Sequence, residues 1–155
     1  MVVEMRRKDR ELSCEEAAEI LANGKYGVLA TVDESGLPYC VPLHYVVIDG
    51  DVWFHGTIEE GYKAACFAYN SKACFAVVDS EDGIKARSAL VFGSVEAMPD
   101  MRAAALEGLV EKFVPPFAWE EAKAGIQYTY NDIMAYRLTC DVMTAKRVDR
   151  PNNKQ

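Results

Sequence analysis

The two histidines of the chain, His44 and His55, lie in one segment with a lysine just downstream, Pro38 to Lys63: PYCVPLHYVVIDGDVWFHGTIEEGYK. Imidazole titrates near neutrality, so either ring suits proton transfer. With Cys40 they would also supply a Cys/His/His donor set, but the spacing matches no ordered zinc cage and no metal is expected. The bland alternative for each ring is a hydrogen-bonded, half-buried side chain. Gly56-Thr57 closes one apolar run, and Gly61-Tyr62-Lys63 opens the element after it. Main-chain N–H groups at a helix start, a hydroxyl and an ammonium group together make an anion site, although Lys63 alone reads as a solvated surface lysine. The sequence contains no GxSxG elbow, no P-loop and no GxGxxG turn. Hydrolase, nucleotide triphosphatase and Rossmann dinucleotide chemistry are therefore weakly supported.

These residues are positioned by a hairpin. Asp49-Gly50 sits between runs rich in Val, Tyr, Phe and Trp, the strongest short-range signal for a type I′ turn. With Asp49 and Gly50 as the loop, Ile48 faces Asp51, Val47 faces Val52, Val46 faces Trp53, Tyr45 faces Phe54 and His44 faces His55. The two imidazoles are then neighbours on one face, with Cβ atoms about 4.5–5.5 Å apart. Pro42, Val46 and Trp53 share that face, while Leu43, Tyr45, Val47, Val52 and Phe54 line the other. A hairpin apolar on both faces needs two covers: a core on one side, and a helix, a partner subunit or a flat ligand on the other.

Along the rest of the chain, the Ser13/Glu16 capping box predicts a helix of about ten residues that stops at Asn23-Gly24. Lys25–Val32 reads as a strand, Asp33–Gly36 as a turn, and Glu59–Tyr69 as a short helix. Ala73–Val78 is a buried-type strand, followed by the acidic turn DSEDG and a long strand over Lys85–Ala97. Pro99-Asp100 opens a third helix that Val114-Pro115-Pro116 ends, and a short helix is expected over Trp119–Ala124. Ile133–Val148 is long and β-rich, with the polar tail PNNKQ after it. The expected fold is one domain over residues 1–155, mainly β with peripheral helices: a six-stranded antiparallel barrel. The two long strands exceed what one barrel wall needs and suggest a subunit contact.

With 17 basic and 24 acidic residues the net charge is −7, so nucleic acid or an anionic membrane would have to bind against the field of the protein. Neither is expected as a partner. Five cysteines without a CxxC pair suit free thiols in a reducing cytosol, and no apolar run reaches the ~20 residues of a bilayer span. A cytoplasmic protein is the default expectation.

The order MRRKDREL, YGVLATVDESGLPYCVPLHYV, WFHG, EGYK and a closing strand with TAKR resembles the pyridoxamine 5′-phosphate oxidase-like split-barrel flavoproteins, and within them the nitroimidazole-resistance branch. The resemblance runs over most of the chain. It implies a homodimer with flavin mononucleotide (FMN) at the interface and a small-molecule substrate, with nitroaromatics such as the 5-nitroimidazoles as candidates. It also implies a role for each matching residue. Pro42, Leu43, His44 and Tyr45 would lie along the isoalloxazine, Phe54, His55, Gly56 and Thr57 would meet the ribityl and phosphate side, and Lys63, beside Tyr62, would hold the phosphate. Arg87 and Ser88 would approach from the partner subunit. His44 and His55 are both candidates for proton donation. A flavin performs its own redox chemistry, so no acid-base constellation need be visible. A flavin or haem carrier on the same fold is the alternative expectation, and pyridoxamine-phosphate oxidase itself a third.

Overall fold

In the structure, a computed structural model, residues 4–59, 61–80 and 85–149 are described. The tip of the expected acidic turn, Glu60 and the PNNKQ tail lie outside them. Helix α1 (Cys14–Asn23) begins at the expected capping box: the Ser13 hydroxyl accepts the Glu16 N–H at 3.2 Å, and the Glu16 carboxylate accepts the Ser13 N–H at 2.8 Å. Strands β1 (Tyr26–Val32), β2 (Pro38–His44), β3 (Val46–Ile48) and β4 (Asp51–Thr57) follow, then α2 (Tyr62–Tyr69), β5 (Lys72–Ser80) and β6 (Lys85–Ala97). After a 3₁₀ turn at Pro99–Met101 come α3 (Arg102–Phe113), α4 (Trp119–Thr129), β7 (Ile133–Leu138) and β8 (Val142–Asp149). The fold is the expected antiparallel barrel with peripheral helices, but two of the six expected strands are each broken in two, which gives eight segments among the described residues. Helix α4 also runs one turn further than expected.

Both breaks have a local cause. The Asp49-Gly50 turn has positive φ at both residues, 53° and 86°, and pairs Ile48, Val47 and Val46 with Asp51, Val52 and Trp53 as expected. The ladder then stops. The Tyr45 ring turns into the core, where its hydroxyl donates to the Leu21 carbonyl at 2.5 Å. Beyond it the chain joins the other sheet, and His44 pairs with Tyr26 instead of His55. The expected direct pairing of the histidines is thus corrected by one buried hydrogen bond.

The second break separates β7 from β8 at Thr139–Asp141. There the Thr139 N–H donates to the Ser94 carbonyl and the Asp141 N–H to the Phe92 carbonyl. The 13-residue β6 serves both sheets, pairing with β8 over Lys85–Phe92 and with β7 over Val95–Ala97. The length of this strand is therefore used within the chain.

The hydrophobic core lies inside the curled sheet. Leu29, Tyr45, Val52, Phe54, Phe75, Val77, Val91 and Leu138 are all fully buried, and α1 inserts Ala17, Ile20 and Leu21 between them. Each large side chain contributes roughly 1.5–3 kcal/mol on burial. A smaller cluster on the opposite face of the hairpin joins Val46, Ile48 and Trp53 to Ala105, Ala135, Met98 and Met101. Helix α3 is thus the second cover of the hairpin over Val46 and Trp53.

The point where β6 changes sheets leaves no room for a side chain at Gly93: an added Cβ would lie 1.7 Å from the Thr139 carbonyl oxygen. The obstructing atom is backbone and cannot rotate away. Gly93→Ala should cost about 3 kcal/mol, the upper end of overpacking penalties, measured by urea unfolding.

Candidate functional site

His44 is the last residue of β2, on its outward face. Its ring is stacked on Tyr26, with centroids 4.9 Å apart and planes 29° off parallel, and meets Phe113 of α3 at 4.5 Å. Two aromatic neighbours fix its orientation. His55 projects from β4, on the strand face shared with Trp53 and toward the cleft between α3 and α4. The sheet switch at Tyr45 removes the histidines from one ladder, yet both line this cleft. Burial, then Lys63, then His44 hold the imidazole of His55 below its usual pKa, so the neutral ring is favoured.

Lys63, in the first turn of α2, folds back over β4. Its ammonium donates to the His55 carbonyl at 3.2 Å and lies 5.4 Å from the Phe54 ring centroid and 5.8 Å from that of Tyr136. Burial lowers its pKa. Gly56 leaves the space for it, since an added Cβ would stand 3.2 Å from the ammonium nitrogen. One carbonyl and two ring faces leave the cation underpaired, and therefore able to take an anion.

The other expected site residues divide by orientation. Tyr45 and Phe54 are fully buried and Leu43 packs against the core, so a ligand on this edge meets their main chain and not their side chains. Pro42 is exposed on the same outward face as His44. The Thr57 hydroxyl donates to the Glu59 carbonyl at 3.3 Å. The Tyr62 hydroxyl donates to Asp33, which holds that carboxyl at about 2, and its ring meets Tyr39 edge-on at 4.9 Å. Arg87 pairs with Asp79 at 2.7 Å and with Glu19 of α1 at 3.8 Å. Ser88 points to the opposite sheet face, its strand partners there being Val78 and Lys146. That outer face is apolar and open: Tyr26, Val28 and Val78 are 63%, 42% and 66% exposed.

Sequence reasoning missed three contributors. Tyr136 comes from β7, remote in the chain, and lies under Lys63. Phe113 lies in an expected helix with no function attached to it, and of the cleft-facing side of α4 only Ala122 falls within the expected Trp119–Ala124, Gly125 and Ile126 lying beyond it. The small apolar triad Ala122, Gly125 and Ile126, at helical spacing, was the available signal.

An antiparallel barrel split between two sheets, with a lysine and two histidines gathered at the end of one hairpin, defines the class. The family model described as pyridoxamine 5′-phosphate oxidase matches residues 13–147, and the chain belongs to that family. No curated protein matches the sequence. Among solved structures, the conserved hypothetical protein Rv2991 from Mycobacterium tuberculosis is 21% identical, with a TM-score of 0.80 over 92% of this chain and 90% of its own. The FAD and heme binding protein from Mycobacterium smegmatis is 20% identical, with a TM-score of 0.77 over 91% of this chain and 74% of its own. A proposed 5-nitroimidazole antibiotic resistance protein from Bacteroides thetaiotaomicron is 17% identical, with a TM-score of 0.70 over 88% and 86%. At these identities the likeness carries the fold alone.

The lowered pKa of His55 makes stability depend on pH. Below about 6.5 the unfolded chain takes up a proton at this residue that the folded chain refuses, so stability falls as the pH drops from there toward the lower native value. Urea melts of wild type and His55→Gln between pH 7.5 and pH 5 should show this part of the acid slope removed in the variant.

Proposed function

We propose that the protein is an FMN-dependent oxidoreductase that works as a cytoplasmic homodimer and reduces a small organic molecule, a nitroaromatic being the leading candidate. The observation that carries this reading is the underpaired ammonium of Lys63 beside Gly56 and His55. It offers a phosphate one strong cationic partner where the strand edge is bare and a side chain at position 56 would intrude. Pro42, His44, His55 and Thr57 stand along the same edge, with the main chain of Leu43, Tyr45 and Phe54 between them. Tyr62 flanks Lys63 but is engaged with Asp33.

FMN bound there supplies hydride and single-electron chemistry. What the chain adds is an apolar surface, an anchor for the phosphate and two imidazoles in reach of a neighbouring ligand. A neutral His55 can donate one N–H to an acceptor atom of a substrate, and a ring held between Tyr26 and Phe113 keeps His44 in place while it does the same. The open apolar sheet face, with Tyr26, Val28 and Val78, is suited to a second copy of the chain, whose Ser88 lies on that face, whereas Arg87 is engaged with Asp79 and Glu19 on the other. The localisation fits the free thiols of this chain, and among the described residues no helix is long and apolar enough to cross a membrane.

A carrier of flavin or haem without turnover is the second reading, favoured by the fold shared with the FAD and heme binding protein of Mycobacterium smegmatis. Pyridoxamine-phosphate oxidase activity is less well supported, because a second phosphate finds no further cation among the residues gathered at Lys63.

The absorption spectrum of the purified protein separates flavin from haem, and a colourless protein that does not quench added FMN overturns the reading. Steady-state reduction of nitro compounds with a nicotinamide donor separates enzyme from carrier. Lys63→Ala should weaken FMN binding by roughly 1.5–3 kcal/mol, the range for a hydrogen bond to a charged group, in a fluorescence titration.

A further inference from the structure

Beside the lysine lies a second space with different chemistry. Helices α3 and α4 and the two imidazoles line an open cleft of about 310 Å³, at the lower end of the ~300–1,000 Å³ typical of ligand pockets. Its walls are aliphatic and aromatic, chiefly Leu109, Val110, Phe113 and Ile126, with polarity supplied by His44, His55 and Thr129. Among the described residues no lysine or arginine lines it, so a phosphate finds no cationic partner among them.

Helix α4 carries no fully buried residue, although its Ala122, Gly125 and Ile126 side is apolar and faces the cleft. At Gly125 an added Cβ would meet nothing within 4 Å. The helix therefore stands off from the hairpin across real space. It is tied down at its margins, where the Trp119 indole N–H donates to the Val114 carbonyl at 2.7 Å, Lys123 pairs with Glu111, and Arg102 of α3 donates to the Tyr130 carbonyl at 3.2 Å.

We propose that this cleft binds a small planar aromatic molecule bearing an uncharged hydrogen-bond acceptor, its ring between Phe113 and Ile126 and its acceptor at the two imidazoles. The ring fits because the walls are flat or branched hydrocarbon and His44 is already one member of an aromatic stack. The acceptor is uncharged because the His55 ring, held below its usual pKa, gives one N–H and no counter-charge, and the Lys63 ammonium is directed to the His55 carbonyl. Naming this molecule as the substrate rests on the redox reading above; the binding itself does not.

Nitrobenzene is the probe, titrated into the wild-type protein and followed by amide chemical shifts. Shifts should concentrate at Val110, Phe113, Gly125 and Ile126. Gly125→Leu places a side chain into the open space while improving helix propensity, and should weaken nitrobenzene binding at least ten-fold with FMN affinity unchanged. Ile126→Phe fills the same wall and is the second variant should Gly125→Leu fail to fold. Nitrobenzene shifts elsewhere, unchanged affinity in the filled variants, or benzoate binding more tightly than nitrobenzene would each overturn the proposal. A protein that binds nitrobenzene here but takes up no flavin keeps the cleft and loses the oxidoreductase, whereas flavin binding with no cleft occupancy does the reverse.

Discussion

The hydrogen bond from the buried Tyr45 hydroxyl to the Leu21 carbonyl holds the two halves of the structure in register. It satisfies a carbonyl at the end of α1, where the helix has no further N–H to offer. It also fixes the ring edge-on to Phe75 at 4.8 Å, in the middle of the core. Lys112 of α3 rests on the same ring, its nitrogen 3.8 Å from the centroid, with its pKa lowered to about 8 by burial. One side chain thus ties α1, β5 and α3 to the strand junction. Turning inward at Tyr45 makes the residues on either side diverge: His44 ends one sheet facing outward, and Val46 begins the next under α3.

The site follows from that divergence. Had the ladder run on, the histidines would have paired across two strands and their rings would have shared a flat surface. Instead His44 is held by Tyr26 and Phe113, and His55 stands across the opening with Lys63 behind its main chain. The lysine is placed by the aromatic rings of Phe54 and Tyr136, which stack at 5.6 Å and give its stem a surface to lie on. A cation seated on ring faces and one carbonyl is positioned without being neutralised, which is the electrostatic condition for receiving an anion.

The two covers of the hairpin divide the labour. The core side provides rigidity through residues that are fully buried. On the other side α3 covers Val46 and Trp53, while α4, without a buried side chain, stands off and leaves the cleft. The apolar second face of the hairpin therefore has two explanations along its length: a helix at the turn end and a ligand-sized space at the histidine end.

Local chemistry alone specified the elements whose signals are local. The Ser13/Glu16 cap and the Asp49-Gly50 turn settle α1 and the hairpin register from Val46 to Trp53, because each depends on neighbours a few residues away. The gathering of His44, His55 and Lys63 was legible for the same reason, since one short segment carries all three. Only the tertiary structure decided that the strand breaks at Tyr45, that β6 serves two sheets, that Tyr136 lies under the lysine and that α4 stands off at Gly125. These depend on contacts between residues far apart in the chain: a hydroxyl reaching a helix end, a carbonyl filling the space beside a glycine, rings brought together by sheet closure. No periodicity in a sequence encodes such encounters, and they are what turn a hairpin into a site.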